Sequence, residues 1–324
     1  MNSLTKTTVS EHTLQAIVRK QWGSNALLTA WQELKDGYFN SAYLLDLAHG
    51  LRCVLKVAPP QTVRVLRYER DLMQAEVSAM ELARRHTHMP VAEIYAYDTS
   101  NRLLPNEYFL MQHLPGMPLN KIRPQLTAAE SEALELEVGR LNRQMNDIHG
   151  PAFGYGPATA PRFAGWRAAF LDMMEGVLLD GEEAGVTLPL PYAEIRRRVQ
   201  HASPALDELE TPHLVHWDLW DGNLFIDPLS HHLSGIIDFE RALWGDPLME
   251  VGFASAQADT PFMHGYGLRM LDTPGQQLRR TLYSVYVFLI MVIECTYRQF
   301  ETDDQERWSR PRLQAALEKL GTNA

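Results

Sequence analysis

Residues 214–246 leave this chain the fewest choices of fold, because they spell a loop of fixed spacing followed by a tight β-ribbon. The loop runs His216-Trp217-Asp218-Leu219-Trp220-Asp221-Gly222-Asn223. Two apolar runs follow, 223–227 and 234–238, separated by the polar, Pro-started segment 228–233, which predicts a hairpin. Pairing Asp227 with Ser234 sets Asn223 opposite Asp238, next to Asp218 at the mouth of the loop. An amide oxygen and a carboxylate brought together in this way suit Mg²⁺, which takes one or two protein oxygens and completes its shell with substrate phosphates. Asp218 is then free to accept a proton from an attacking hydroxyl, so the pattern predicts phosphoryl transfer.

His216, Asp218, Leu219 and Asn223, followed by a later acid, keep the spacing of the kinase catalytic loop H-R-D-L-x-x-x-N and its magnesium-holding Asp. The segment resembles the aminoglycoside phosphotransferase and choline kinase branch of the kinase-like fold, whose members phosphorylate small molecules. Trp217 stands where protein kinases carry Arg, and Asp238-Phe239-Glu240 stands where they carry Asp-Phe-Gly. Both departures argue against a protein kinase governed by an activation loop. The resemblance implies an α+β, protein-kinase-like fold of two lobes. A small β-rich lobe over residues 1–113 would cover the nucleotide, and a larger, mainly helical lobe over 114–324 would carry catalysis and the acceptor. ATP and Mg²⁺ are the implied cofactors, with Asp218 as catalytic base and Asn223 and Asp238 as metal ligands.

Composition removes other classes. The 324 residues are long enough for two units with cores of their own, and 45% hydrophobic with 22% charged residues is ordinary for a soluble protein. A net charge of −10 argues against a nucleic-acid partner and tilts weakly toward a cationic acceptor. Cys53 and Cys295 are too few for a disulfide framework or a Cys-ligated metal. Residues 1–12 carry no apolar signal segment. The greasiest run, 285–293, falls short of the roughly 20 residues a membrane span needs. No membrane partner is expected, and the expected compartment is the reducing cytoplasm.

Ahead of the loop, residues 10–22 have helical spacing behind a Ser10 or Thr13 cap. Strands are expected at 30–34, 42–47 and 51–57. The Gly37 turn between the first two is where kinase-like folds cover the nucleotide phosphates, although on local grounds it also fits an ordinary hairpin turn. Lys56 interrupts an apolar strand; it could snorkel to water, but it matches the lysine that holds the α- and β-phosphates in the resembled family. Such a lysine needs a carboxylate. Residues 65–85 read as one long helix carrying Glu69 and Glu76 seven apart on one face. Glu76 is preferred as the partner, with Glu69 in reserve. A strand over 90–94 is expected next. The buried run 107–112 then ends in His113-Leu114-Pro115-Gly116, which suits a hinge whose main chain, at Gln112, His113 and Leu114, pairs with an adenine edge.

Beyond the hinge, helices are expected over 126–149 (behind a Thr127/Glu130 capping box), 166–179, 192–209, 247–256, 275–298 and 308–320, with a strand over 211–215. Gly245-Asp246-Pro247 resembles the family element that anchors the catalytic loop, with Asp246 as a helix cap. His216 is expected to prop the loop and Trp217 to pack it. Asp221, exposed by position, could meet a cationic acceptor. Asp259, Glu294, Glu301, Asp303 and Asp304 could line a pocket for amines, but a solvated face is the commoner fate of such acids and is expected here. Two rival readings stand beside the kinase. A metal-dependent hydrolase built on His216, Asp218, Asp238 and Glu240 leaves Lys56 unexplained. A nucleotide-binding scaffold without activity would be expected to have lost one of the groups that are all present here.

Overall fold

A computed structural model describes residues 5–35, 37, 39–253, 259–268 and 273–322; Asp36 and Tyr38 of the expected turn, and 254–256 of the expected 247–256 helix, lie outside them. The architecture is α+β. It opens with helix α1 (Glu11–Trp22), whose first turn is capped by Ser10 Oγ accepting from Thr13 N at 3.2 Å. Leu14, Ile17 and Val18 of α1 are buried against an antiparallel sheet built from β1 (Leu28–Leu34), β2 (Ser41–Leu47), β3 (Arg52–Val57), β4 (Ile94–Asp98) and β5 (Tyr108–Gln112), in the order β1-β2-β3-β5-β4. Strand β2 buries alternate residues, Tyr43, Leu45 and Leu47, on the face that α1 covers, as a half-exposed sheet requires.

Asp98 joins these parts. Its carboxylate accepts from Tyr108 OH and Ser100 N, each at 2.7 Å, and from the Lys20 ammonium of α1. Burial would raise its pKa, but Lys20, Ser100 and Tyr108 together hold it well below the usual carboxylate range. A depressed folded-state pKa gives stability that is present above the unfolded value, about 3.9, and is lost as pH falls through the folded one. Asp98→Asn is therefore expected to lower unfolding free energy by about 2 kcal/mol at pH 7. In urea unfolding the gap between variant and parent should shrink by pH 3.

The segment expected as one helix over 65–85 is broken. A single 3-10 turn (Arg67–Glu69) precedes Asp71, a left-handed residue at φ 58°, and α2 (Leu72–His86) starts afresh. The break separates Glu69 from Glu76. Glu69 turns back to accept from Leu66 N at 2.8 Å and pairs with Arg298, while Glu76 points to the sheet. The strand expected over 90–94 is displaced: β4 begins at Ile94, and Val91 instead makes an isolated parallel bridge to Ile236.

The rest is mainly helical: α3 (Leu119–Ile122), α4 (Ala128–Asn146), α5 (Trp166–Glu183), α6 (Tyr192–Ala202), α7 (Pro261–Tyr266), α8 (Pro274–Arg298) and α9 (Asp304–Thr322). The Thr127/Glu130 capping box on α4 forms as expected. The helix expected over 192–209 ends at Ala202 and continues as a 3-10 turn, Ser203–Glu208. After Asp246 the chain forms two 3-10 turns, Pro247–Met249 and Val251–Phe253, in place of an α-helix. Among the described residues six short strands are threaded between these helices. β6 (Met117–Pro118) pairs with β9 (Leu224–Ile226), which pairs with β10 (Leu233–Ile236); β11 (Leu243–Gly245) lies between β7 (Gly154–Tyr155) and β8 (His213–Val215). One apolar core runs from α2 and Phe109 of β5 through α4, α5 and α8. Among the described residues no helix is long and apolar enough to cross a membrane.

Candidate active site

Strand β3 is apolar at its centre, and Lys56 lies in it between Ala42 of β2 and Phe109 of β5. Its Nζ donates to both carboxylate oxygens of Glu76, at 2.7 and 2.8 Å, and to Asp238 Oδ1 at 2.7 Å. Glu240 Oε2 stands 3.8 Å away. Sheet, helix α2 and the end of the β9–β10 ribbon thus converge on one ammonium.

Burial alone would lower the Lys56 pKa, but Asp238, Glu76 and Glu240 raise it above its ordinary value, so this lysine stays charged. Burial would raise Asp238, yet the same ammonium holds it below the usual carboxylate range. Glu240 is pushed up to about 8 by burial and then by Asp238. Burial likewise raises Glu76, with Lys56 opposing. The Lys56 ammonium faces three carboxyl groups, and a divalent cation bound among them would favour their ionised forms. The ligand oxygens of Glu76, Asp238 and Glu240 lie within 4.8 Å of one another, and hard oxygen donors are the set magnesium selects.

Asp218 sits on the loop after β8. Asn223 Nδ2 donates to the Asp218 carbonyl at 2.8 Å and to its Oδ2 at 3.1 Å, which leaves the Asn223 amide oxygen as the atom it can offer a cation. Burial pushes the Asp218 carboxyl up to about 7, with Arg241 acting in the opposite direction. That value is suited to a base working near neutral pH. His216 is fully buried. Its Nδ1 accepts from Asp218 N at 3.3 Å, so Nε2 carries the proton and donates to Ile237 O at 3.1 Å. Burial lowers its pKa, and it ties the loop to the ribbon as a neutral prop. Trp217 packs flat on Tyr286, with ring centroids 5.4 Å apart, whereas Trp220 is exposed.

The ribbon itself differs from expectation by one residue. β9 and β10 pair Phe225 with Gly235 and Leu224 with Ile236, so Asn223 comes opposite Ile237, whose N–H reaches the Asn223 carbonyl at 3.0 Å, and not opposite Asp238. An irregularity between Leu233 and Gly235 shifts the pairing, and the turn is set by Asp227 Oδ1 accepting from Leu229 N and Ser230 N. A one-residue slip sends side chains to the opposite face of a strand. The left-handed backbone of Asp238, φ 68°, is what aims its carboxylate at Lys56.

Other expected residues fall as follows. Gly37 lies exposed in the β1–β2 connection. Gln112 ends β5 opposite Cys53, its N–H bonded to Glu93 O at 2.8 Å; His113 and Leu114 follow, half-buried, and Leu114 closes over Gly235. Asp221 is half-buried, and its carboxylate grips the Arg123 guanidinium through both oxygens. Glu294 is not on a solvated face: it is buried, 3.7 Å from Arg241 Nη2 and bonded to Gln305 Nε2 at 2.6 Å. Its spacing from the buried Ile290 and Tyr297 on α8 was the signal that it faces inward.

Glu240, given a role only in the hydrolase reading, and Glu250, given none, are central. Glu240 joins the Lys56 cluster and accepts from Asn40 Nδ2 at 2.8 Å. Glu250 is wholly buried and receives the backbone N–H groups of His216 at 2.8 Å and Trp217 at 3.0 Å. Asp246, expected to anchor the loop, does cap the following 3-10 turn through Leu248 N at 3.0 Å, but its other oxygen is taken by Arg279 and Tyr283. Glu250 is the direct anchor.

The model of the phosphotransferase enzyme family known as APH matches residues 30–282. A solved Ralstonia eutropha structure, provisionally assigned as an aminoglycoside phosphotransferase, superposes with a TM-score of 0.67 at 14% identity, covering 97% of this chain and 98% of that one. The aminoglycoside phosphotransferase APH(4)-Ia, crystallised with AMP-PNP and hygromycin B, superposes at 0.65 with 17% identity over 96% of this chain and all of that one. A Thermobifida fusca protein provisionally assigned as a fructosamine-3-kinase gives 0.64 and 17% over 95% and 100%. These likenesses establish the kinase-like, two-lobed fold. Among curated proteins, a subtelomeric hrmA-associated cluster protein of Aspergillus fumigatus is 26% identical over 123 residues, 38% of this chain; the match spans about a quarter of the relative's own length, 23%.

Proposed function

The chain belongs to the phosphotransferase enzyme family, and from that premise we propose that it moves the γ-phosphoryl group of ATP to a hydroxyl of a small molecule, an aminoglycoside-like compound, an amino sugar or an amino alcohol. The observation that carries this reading is Lys56, held extended by Glu76 and Asp238 close to the loop that bears Asp218. Phosphoryl transfer asks a protein mainly to position groups and neutralise charge. In this reading residues 1–113 form the nucleotide-covering lobe and 114–324 the catalytic lobe. Gln112, His113 and Leu114 offer main chain to the adenine, and Gly37 lies over the phosphates. Lys56 grips the α- and β-phosphates, and Asp218 aligns the acceptor hydroxyl and takes its proton. Asn223 and Asp238 would hold Mg²⁺, with Glu240 beside them. When bound, the ion would supply charge neutralisation at the phosphate oxygens.

The experiment is an ATP-consumption screen of aminoglycosides, macrolides, choline and amino sugars with and without Mg²⁺. Turnover on one class, abolished by chelator, is the expected result. Tight ATP binding with no turnover on any acceptor would favour a scaffold, and hydrolysis of substrates without ATP would favour a metal-dependent hydrolase.

A further inference from the structure

We propose that Lys6, carried by the segment ahead of α1, is a second phosphate-binding cation of the nucleotide site, acting beside the β1–β2 loop where a glycine-rich loop would offer backbone N–H groups. The inference rests on the nucleotide reading above and extends it to a residue outside the family-matched region, which begins at residue 30.

The segment is fastened on both sides of Lys6. Thr5 and Val9 are buried. Thr7 N donates to Ser41 Oγ at 2.7 Å and Thr7 Oγ1 to Ala58 O at 3.0 Å, while Tyr43 OH donates to Thr7 O at 2.8 Å and accepts from Val9 N at 3.1 Å. Four hydrogen bonds at Thr7 and Val9 fix where the Lys6 side chain starts. It ends in the β1–β2 loop. Its Nζ donates to Asn40 O at 2.6 Å, and a Cβ added to Gly37 would lie 3.8 Å from it.

Asn40 ties this ammonium to the Lys56 cluster, since its side chain donates to Glu240, which stands 3.8 Å from Lys56. Lys6 feels the charges of Lys56, Glu240 and Asp238, as well as Glu33, and burial lowers its pKa. The Lys6 and Lys56 ammonium groups repel each other, and Glu33, Glu240 and Asp238 offset that repulsion. A polyphosphate placed between the two ammonium groups would reverse that repulsion, because each ammonium carries three donors and phosphate oxygens accept charge-assisted bonds. The loop 35–41 contains one glycine and cannot form the G-x-G-x-x-G cradle. A lysine reaching this loop from a neighbouring segment supplies positive potential beside it.

The test compares ATP and AMP binding by calorimetry in the parent, Lys6→Ala and Lys6→Arg. A contact to the outer phosphates predicts about a tenfold loss of ATP affinity in Lys6→Ala, most of it restored in Lys6→Arg, with AMP affinity within about twofold of the parent. AMP binding also reports that the variant is folded. Unchanged ATP affinity in Lys6→Ala overturns the proposal. Equal losses for ATP and AMP overturn it as well, because they make Lys6 a mere tether of the loop. A parent that binds neither nucleotide removes the nucleotide reading itself, an outcome distinct from both.

Discussion

Asp218→Asn is expected to bind ATP as the parent does and to turn over its acceptor about 10³-fold more slowly, within the range lost with a general base. The substitution keeps shape and removes one charge. Asn223 still finds an oxygen at the same place, and its bond to the Asp218 carbonyl at 2.8 Å does not involve the side chain. Lys56, Glu76 and Asp238 are untouched. The variant should not be less stable. Burial raises the Asp218 carboxyl to about 7, so folding pays for its ionisation from the unfolded pKa upward, and fully so above pH 7. Replacing it with a neutral amide removes that penalty, and the melting temperature at pH 8 should equal or exceed that of the parent. Loss of turnover together with undiminished stability and intact ATP affinity is the signature of a base. A variant that kept more than a tenth of parental turnover would place the base elsewhere.

Much of this site was legible because its information is local. The interval from His216 to Asn223, the ribbon that follows and the single ammonium in an apolar strand at Lys56 can each be recognised within about a dozen residues. What escaped was set by contacts remote in sequence. The 65–85 segment has no Gly or Pro to announce a break. The left-handed turn at Asp71 accompanies a Glu69–Arg298 pair linking positions 229 apart. The ribbon register depended on side-chain bonds from Asp227 that a pairing rule does not see. Glu240 was first noticed as a departure from Asp-Phe-Gly, and only the fold places it beside Lys56. Lys6 and Glu250 were invisible for the same reason: each acts on residues more than 30 positions away.

Glu250→Gln is expected to cost about 3 kcal/mol of unfolding free energy and to lower kcat by at least tenfold while ATP affinity changes little. The carboxylate is fully buried and acts only as an acceptor. Oε1 receives His216 N at 2.8 Å, Asn142 Nδ2 at 2.9 Å and Asn146 Nδ2 at 3.0 Å, and Oε2 receives Trp217 N at 3.0 Å. A glutamine must turn its NH₂ toward one of these two sets. If it faces Trp217 N–H, two donors meet where the backbone is already in the left-handed region, φ 62° at Trp217. A non-glycine residue held there stores about 1–3 kcal/mol, and persists only because its surroundings over-determine it. Weakening the anchor lets Trp217 relax, and Asp218 is the next residue. Lys56 and its partners lie on other elements, so nucleotide affinity should survive. Glu250→Ala would strip the acceptor from all four donors and is expected to prevent folding, which is why the glutamine variant is the informative one. Urea unfolding and steady-state kinetics on the same preparation decide the matter. Parental stability with parental kcat would show that the catalytic loop holds its shape without Glu250, and a loss confined to ATP affinity would move its influence to the nucleotide side.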